Sequence, residues 1–319
     1  NRHFLWTGTL RDPRYRKSKA MVHNGDATYN KWARWKTFPE RLEETGVSWK
    51  VYQNELSMPC GFEGEESDWL GNFTNNNLEW FEQYGVRYAE GFQNYLTTVI
   101  EEYPDRIKSI EKELASVDKN SDSFKELTTK LEETKDHLKQ AQENKEKWGR
   151  EIFEELSEYE RNIHNKAFQT NSEYPDYHSI ETLKYDDNGT PREMKVPKGD
   201  ILYQFRKDVD DDQLPAVSWV CAPENFSDHP GAPWYGAWYI SEMMNILTKN
   251  PEVWKKTIFI VTYDENDGYF DHIPPFVPAE AGNPETGKVS HDIDTWQEFA
   301  RKEDELERRQ DNPDSARWG

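Results

Sequence analysis

The sequence predicts an α/β protein: a mostly parallel sheet sandwiched by helices, with a helical hairpin inserted into it. One observation is the run LPAVSWVCAPE at 214–224, which has the composition of a buried strand. An amphipathic helix, WYGAWYISEMMNILTKN, follows at 234–250, and a second apolar strand, KTIFIVTYDE, follows that helix. A strand, a helix and a strand in this order form a βαβ unit, which makes a parallel sheet covered on both faces.

The second observation comes from the N-terminal part of the chain. The segment TFPERLEETG is typical of a helix that begins near Pro39 and ends at Gly46. The next segment, GVSWKVYQNE, alternates Val47, Trp49 and Val51 with polar residues, as a half-buried strand does. A helix that leads directly into a strand is typical of α/β folds.

The third observation is a change of composition over residues 101–170. Apolar residues recur there at three- and four-residue spacing on a charged background: Phe124, Leu127, Leu131, Leu138 and Ala141 in one stripe, and Ile107, Ile110, Leu114 and Val117 in another. The polar stretch DKNSDS between the stripes supplies a break with capping residues. The pattern predicts a helical hairpin. Two interpretations of it stay open: an arm that binds a partner, or an insertion that only packs against itself.

These patterns divide the chain into four parts. We expect residues 1–100 and 171–278 to be the first and second parts of one α/β domain, interrupted by the helical hairpin at 101–170. Residues 279–319 are polar and are expected to form a tail or loop region.

Charge and composition argue against several classes of protein. The chain has 40 Lys and Arg against 61 Asp and Glu, a formal charge of −21, so general electrostatic binding to nucleic acid or to an anionic membrane is not expected. Its 13 Trp, 16 Tyr and 15 Phe indicate a folded body. No apolar run reaches the roughly 20 residues that span a bilayer, so no transmembrane segment is expected. The two cysteines cannot form a disulfide framework.

Ligand-type side chains follow both C-terminal strands of the predicted sheet. After the first strand come Glu224, Asp228 and His229; after the second come Asp264, Glu265, Asp267, Asp271 and His272. Ligands of open parallel sheets bind beyond the carboxyl ends of the strands, so neighbouring strands would bring both sets into one crevice. Oxygen and imidazole ligands suit a divalent cation. One such strand alone more often uses its carboxylates to cap turns, but two together favour a metal site.

Other common functional motifs are absent from the sequence or have the wrong spacing. The string DENDG resembles a calcium-binding EF-hand loop, but its glycine comes one position early and no Glu follows at the twelfth position. No G-x-S-x-G motif is present, which excludes a serine-hydrolase elbow. The sequence has no P-loop and no dinucleotide-binding fingerprint either.

Four blocks of the sequence, in this order, resemble the phosphocholine-specific phospholipase C family of bacteria: NRHFLWTGT, TFPERLEETGVSWKVYQ, LPAVSWVCAPENFSDHP and VTYDENDGYFDHIPP. That family lies within the phosphoesterase group, which also holds a bacterial acid phosphatase and has the alkaline-phosphatase-like fold. The resemblance covers residues 1–60 and 200–278 and leaves the helical hairpin and the tail unmatched. It implies a hydrolase of phosphate esters that uses a divalent metal ion of unknown identity.

The resemblance also implies roles for individual residues. Asp264 and Glu265 lie where the fold has its metal-binding Asp-His-Gly element, so both are expected metal ligands. His229 lies where related enzymes have a phosphate- or metal-binding histidine, and Glu224 holds the acidic position shortly before it, where it is expected to contact substrate. His272 is carried over as a second histidine. Near neutral pH, His229 and His272 can move the protons that a leaving alkoxide requires, so both are expected catalytic residues.

One departure from the family pattern concerns the nucleophile. Relatives carry a Thr or Ser shortly before a Pro-Asn-Arg element, whereas this chain opens at Asn1 and Arg2. The resemblance therefore implies a nucleophile upstream of Asn1, contact of Asn1 with substrate, and a chain that is an inactive piece of a longer protein. Thr7 and Thr9 follow the Asn-Arg pair and stand in a different register.

Aromatic residues near these blocks indicate how a choline head group is held, since a quaternary ammonium binds against aromatic faces. Those near the site in sequence are Trp219, Trp234, Tyr235, Tyr263, Tyr269 and Phe270. Of these, Trp219 and Tyr269 are the expected substrate contacts.

The resemblance implies that the parent protein hydrolyses phosphatidylcholine-type phosphodiesters through a phosphoenzyme. The alternatives are an acid phosphatase of the same family, acting on phosphomonoesters, and a non-catalytic interaction module that works through the helical hairpin. Because relatives are exported, the parent is expected in the periplasm or outside the cell.

Overall fold

A computed structural model describes residues 2–22, 25–264, 272, 278–280, 282–301 and 304. Its helices are α1 (Arg2–Thr7), α2 (Phe38–Glu44), α3 (Glu66–Leu70), α4 (Glu90–Leu114), α5 (Asp122–Trp148), α6 (Arg150–Glu155), α7 (Glu158–Ala167), α8 (Tyr203–Asp210), α9 (Pro233–Lys249) and α10 (Pro251–Trp254). Its strands are β1 (Trp49–Tyr52), β2 (Ile180–Asp187), β3 (Thr190–Pro197) and β4 (Val217–Val220). Short 3₁₀ turns lie at Asn77–Trp80, Glu82–Tyr84, Val86–Tyr88, Glu224–Phe226 and Thr295–Gln297. None of the described helices is both long and apolar enough to cross a membrane.

The strands β1 and β4 pair in parallel. Trp49 lies opposite Val217, and Tyr52 lies opposite Val220. With the helices packed around this pair, the described part of the chain is a mixed helix-and-sheet fold, as an α/β prediction requires. The parallel sheet is smaller than expected, however, because within the described ranges it has two strands and not a broader set.

Both faces of the parallel pair are covered by apolar side chains. Alternation along β1 puts Trp49 and Val51 in a first cluster and Tyr52 in a second. The first cluster also contains Trp6, Trp35, Leu78, Phe81 and Ile163, and the second contains Leu70, Phe205, Val209, Met243 and Leu247. The pair therefore lies between two apolar layers, which is the arrangement that buries a parallel sheet.

Residues 257–263 are not a strand in the structure, which corrects the prediction of a second strand after α9. The side chains alternate only over residues 257–260: Phe259 packs against the second cluster, whereas Ile258 and Ile260 are 87% and 76% exposed. No strand among the described residues pairs with this backbone. A strand is defined by a neighbouring strand that accepts and donates its backbone hydrogen bonds. Among the described residues, the predicted βαβ unit therefore has its first strand and its helix but not its second strand.

The helices α4 and α5 lie side by side and are joined by residues 115–121. Lys135 of α5 lies 2.7 Å from Glu111 of α4. α4 begins at Glu90, ahead of the expected boundary at 101. Most charged side chains on both helices face solvent, whereas Phe92, Leu96 and Val99 of α4 and Ala141 of α5 pack into the first cluster.

The strands β2 and β3 form an antiparallel hairpin that the sequence analysis does not include. Asp187 pairs with Thr190 at its tip. Asn188 and Gly189 make the two-residue turn, with φ angles of 52° and 86°. An Asn-Gly pair is the preferred sequence for such a turn, because both positions need a positive φ.

Candidate functional site

The candidate site lies beyond the carboxyl ends of β1 and β4, where residues 72–75 cross both strands. We call residues 72–75 the crossing loop. The Asn72 N–H donates to the carbonyl of Glu55, just after β1, at 2.9 Å. The Asn75 side chain donates to the carbonyl of Ala222, just after β4, at 3.0 Å. The crossing loop is therefore held at the edge where open parallel sheets bind their ligands.

A buried carboxylate, Glu79, anchors the crossing loop. Glu79 is 1% exposed and accepts hydrogen bonds from the Tyr29 hydroxyl at 2.6 Å and from Asn72 Nδ2 at 2.7 Å. It also accepts from the backbone N–H groups of Ser57 and Met58, at 3.0 and 3.1 Å. Burial raises the pKa of Glu79 above its ordinary value, and these donors oppose the rise. The network joins the segment after β1 to the crossing loop as one unit.

Arg2, the first residue of α1, reaches the crossing loop and Asp264 together. Its Nη1 donates to the Phe73 carbonyl at 3.0 Å and to the Thr74 hydroxyl, and its guanidinium lies 5.5 Å from the centre of the Phe73 ring. Its Nε lies 2.5 Å from Asp264 Oδ2. Trp6 fixes α1 in place, because its side chain is fully buried in the first cluster.

The residues just after β4 form the opposite wall of the site. The 3₁₀ turn Glu224–Phe226 is held by Phe226, which is buried in the second cluster. His229 Nδ1 lies 3.5 Å from Glu224 Oε1. The His229 ring also packs edge-on against the Phe73 ring, with 5.1 Å between centroids. Both polar side chains are partly exposed, so a ligand can reach them from solvent.

Asp228 joins this wall to the segment before Asp264. Its backbone has a φ of 65° and lies so close to α9 that a Cβ on Gly236 would be 2.6 Å from the Asp228 nitrogen. Loss of solvent and then the neighbouring Asp228 carboxylate raise the pKa of Tyr263. Asp228 is therefore packed closely against α9 at this side of the site.

The residues with a predicted role at the site fall into three groups. Around the crossing loop lie Glu224, His229 and Asp264. Outside the described residues lie Asn1, Glu265 and Tyr269. His272 is described and exposed. Trp219 packs into the first cluster, 4.9 Å from the Trp6 ring, so its observed contacts are those of a core residue and its role in substrate binding stays a prediction.

Arg2, Phe73 and Thr74 have no predicted role in the sequence. Phe73 and Thr74 lie in a polar stretch, FTNNN, that any surface loop can have. Arg2 carries a stronger signal, since it belongs to the Asn-Arg element of the resemblance, and planar guanidinium donors match phosphate oxygens.

The donors around the crossing loop have the chemistry of a divalent-cation site: the carboxylates of Asp264 and Glu224 and the imidazole of His229. These three groups do not form a closed set of ligands. Among the described residues they do not supply three ligand atoms within 4.8 Å of one another, and Asp264 is paired with Arg2. A described group that does meet this distance lies elsewhere and consists of Glu55, Cys60 and His178.

The fold and this site define a mixed helix-and-sheet protein with acidic, imidazole and guanidinium groups at the carboxyl edge of parallel strands. A model of the phosphoesterase family matches residues 1–126 and 127–295, so the chain belongs to the phosphoesterase family. The resemblance predicted from the four sequence blocks is thereby confirmed.

Curated relatives of the chain carry the names of phospholipases C. The chain is 28% identical over 289 residues to the non-hemolytic phospholipase C of Burkholderia pseudomallei. The matched residues are 89% of this chain and 27% of that protein. It is 26% identical over 285 residues to the non-hemolytic phospholipase C of Pseudomonas aeruginosa, covering 88% of this chain and 25% of that protein. A stretch of 92 residues is 45% identical to phospholipase C B of Mycobacterium tuberculosis, covering 28% of this chain and 18% of that protein.

The chain spans about a quarter of the length of the first two relatives.

Proposed function

We propose that the full-length protein is a phospholipase C that hydrolyses phosphodiesters of the phosphatidylcholine type. The observation that carries this proposal is the meeting of Arg2, Asp264 and the 224–229 loop at the carboxyl edge of the parallel strands, in a chain of the phosphoesterase family. A phosphodiester is an anion that gains further charge at its leaving oxygen as the bond breaks. Cationic and proton-donating groups at one place are what this reaction requires.

We assign a divalent cation to this site, with Asp264 and Glu265 as its ligands. When bound, such a cation withdraws charge from the phosphoryl oxygens and makes the phosphorus easier to attack. We assign Arg2 to phosphoryl oxygens as well, because its planar donors match them. Asp264 holds the Arg2 guanidinium in position, and the crossing loop holds it from the other side.

The proposed reaction is a double displacement. A hydroxyl of the full-length protein loses its proton to solvent and attacks phosphorus, the bond from phosphorus to the lipid alcohol oxygen breaks, and the phosphocholine group stays on the protein. His229 gives the leaving alkoxide its proton. Water then attacks the same phosphorus and gives a proton to His272 as the proposed acceptor, phosphocholine is released, and the hydroxyl oxygen and His229 take up protons from solvent while His272 releases its own.

The finer parts of the proposal follow from the resemblance. We propose an alkaline-phosphatase-like fold for the whole protein, a choline contact by Trp219 and Tyr269, a substrate contact by Glu224 and a periplasmic or secreted location. The described parallel pair between two apolar layers is compatible with that fold.

A phosphomonoesterase is the rival function, because one metal centre serves both reactions and the head-group pocket decides between them. The test is to assay the full-length protein with divalent metal on phosphatidylcholine and on a simple phosphomonoester. We expect phosphocholine release from the diester and a kcat/KM at least about tenfold lower for the monoester. The opposite preference would make the protein an acid phosphatase. Turnover of neither ester would favour an interaction module that works through α4 and α5.

A further inference from the structure

Glu55, Cys60 and His178 form a second group of ligand-type side chains, apart from Asp264. Their ligand atoms are a carboxylate oxygen, the thiol sulfur and an imidazole nitrogen, and all lie within 4.8 Å of one another. Glu55 and Cys60 are 0% and 8% exposed, whereas the His178 side chain is 31% exposed. The group is therefore buried on one side and close to solvent on the other.

Two atoms of this group, Glu55 Oε2 and His178 Nε2, are buried with no hydrogen-bond partner among the described residues. They lie 3.4 Å apart. Buried polar atoms almost always have a hydrogen-bond partner. The other Glu55 oxygen accepts a hydrogen bond from the Leu56 N–H at 2.8 Å, which holds the carboxylate in one orientation. The two atoms therefore face each other, and because neither is hydrogen-bonded to a third group in the described part of the chain, both can bind one ligand.

The surrounding chain brings these groups together. Glu55 follows β1, and a Cβ at Gly91, near the start of α4, would lie 2.7 Å from Glu55 Oε2, so only glycine leaves room for the carboxylate. The His178 ring lies between the rings of Phe62 and Tyr177, at centroid distances of 4.3 and 4.8 Å.

We propose that Glu55, Cys60 and His178 bind a divalent cation of the zinc type. One thiolate, one imidazole and one carboxylate are ligand types that zinc accepts, and the soft thiolate disfavours magnesium and calcium. Ligand atoms at the corners of a tetrahedron with bonds of about 2.1 Å lie about 3.4 Å apart. Glu55 Oε2 and His178 Nε2 already have this spacing. The thiol releases its proton to solvent when the ion binds.

A cavity of about 180 Å³ opens beside Cys60 and is also lined by Met58, Phe62 and Tyr95. It leaves room for a water molecule as a fourth ligand. The bound ion would link the segment after β1 to the segment that follows α7. The proposal is independent of the proposed function, since none of its three ligands is assigned to ester hydrolysis.

The test is to titrate the chelator-treated chain with Co²⁺, which takes zinc sites and gives a near-ultraviolet charge-transfer absorption when a thiolate binds it. We expect this absorption to saturate at one equivalent and to disappear on addition of Zn²⁺. A cation held only by carboxylates, such as one at Asp264, gives no thiolate absorption. Absence of the absorption in the unmodified chain would overturn the proposal without bearing on the phosphoesterase function.

Matched variants decide which residues are ligands. Cys60→Ser should remove the absorption and weaken Zn²⁺ binding by at least about tenfold, whereas Cys221→Ser, at the other buried cysteine, should leave both unchanged. His178→Gln should also weaken Zn²⁺ binding, and His137→Gln, on the exposed side of α5, should not. If Cys60→Ser does not fold, the histidine pair decides alone. Equal Zn²⁺ affinity in the ligand variants and their controls would contradict the proposal.

Discussion

Arg2 Nε lies 2.5 Å from Asp264 Oδ2, although the two residues are 262 positions apart in the sequence. The same guanidinium holds the carbonyl of Phe73 in the crossing loop. Both partners of the ion pair are partly exposed, so solvent screens their attraction and the pair adds little to stability. The ion pair matters for the position of these groups, because the Arg2 side chain contacts both Asp264 and the crossing loop.

We therefore expect Arg2→Gln to lower activity more than stability. The neutral amide cannot pair with Asp264 or bind a phosphoryl oxygen bidentately, and losing one charged hydrogen bond of this kind should reduce kcat/KM about tenfold. Steady-state assays of the full-length protein on phosphatidylcholine measure this. Arg16→Gln is the control, since Arg16 makes a more exposed ion pair with Asp294. Equal activity in the two variants would show that Arg2 has no role at the site.

Gly236→Ala should displace Asp228 and its loop. The added Cβ would lie 2.6 Å from the Asp228 nitrogen, so either the loop or α9 has to move. We expect a stability loss of about 1–3 kcal/mol in urea denaturation and a raised KM for the ester. Gly231→Ala is a matched control in the same loop, because a Cβ there meets no atom within 4 Å. A Gly236→Ala protein as stable and active as Gly231→Ala would argue against this packing.

Glu79→Gln should destabilise the anchor of the crossing loop. The carboxylate accepts four hydrogen bonds, and an amide replaces one acceptor oxygen with a donor that faces other donors. The free energy of unfolding should fall by about 2–4 kcal/mol, measured by urea denaturation at neutral pH. Glu101→Gln, at an exposed position of α4, should change it by less than about 0.5 kcal/mol. A similar small change in Glu79→Gln would mean that the network is not formed.

His164 should make the fold less stable in mild acid. Burial lowers the pKa of His164 to about 4, from 6.5, and its Nδ1 lies 2.8 Å from the Tyr84 carbonyl. Between these two pKa values the unfolded chain binds the proton and the folded chain does not, so stability falls as the pH is lowered. From pH 7 to pH 5 this one group should cost about 2 kcal/mol.

The measurement is urea denaturation at pH 7 and pH 5 for two histidine variants. His164→Asn should lose less stability between the two pH values than the unmodified chain, because it has no imidazole to protonate. His137→Asn removes an exposed histidine and should keep the full pH dependence. An unchanged pH dependence in His164→Asn would show that His164 already carries its proton in the folded state.

The elements that were predictable from sequence are those that carry their own local signal. β1, β4, α2 and α9 follow from apolar periodicity and from proline at a helix start. Residues 257–263 have the same apolar pattern but are not a strand, because pairing depends on a neighbour that the pattern does not specify. The hairpin of β2 and β3 had a usable signal, Asn188 followed by Gly189, which the sequence analysis did not weigh.

The candidate site was predictable to the extent that its residues follow strands. Glu224 and His229 follow β4, which is why the sequence places them at the carboxyl edge of the sheet, whereas Asp264 follows an apolar run that is not a strand and is held by its ion pair with Arg2. The group of Glu55, Cys60 and His178 could not be predicted, because its last two members are separated by α3 to α7 and meet only in the folded chain.

Asp264 is the residue on which the proposed site depends most. The direct measurement is kcat/KM for phosphatidylcholine in the full-length protein carrying Asp264→Asn, beside Asp105→Asn, an exposed aspartate of α4, as the control. We expect the Asp264 variant to lose at least about 100-fold, since it loses both the Arg2 ion pair and an anionic metal ligand, and the control to retain full activity. Activity of the Asp264 variant within about twofold of the control would contradict the assignment of this site.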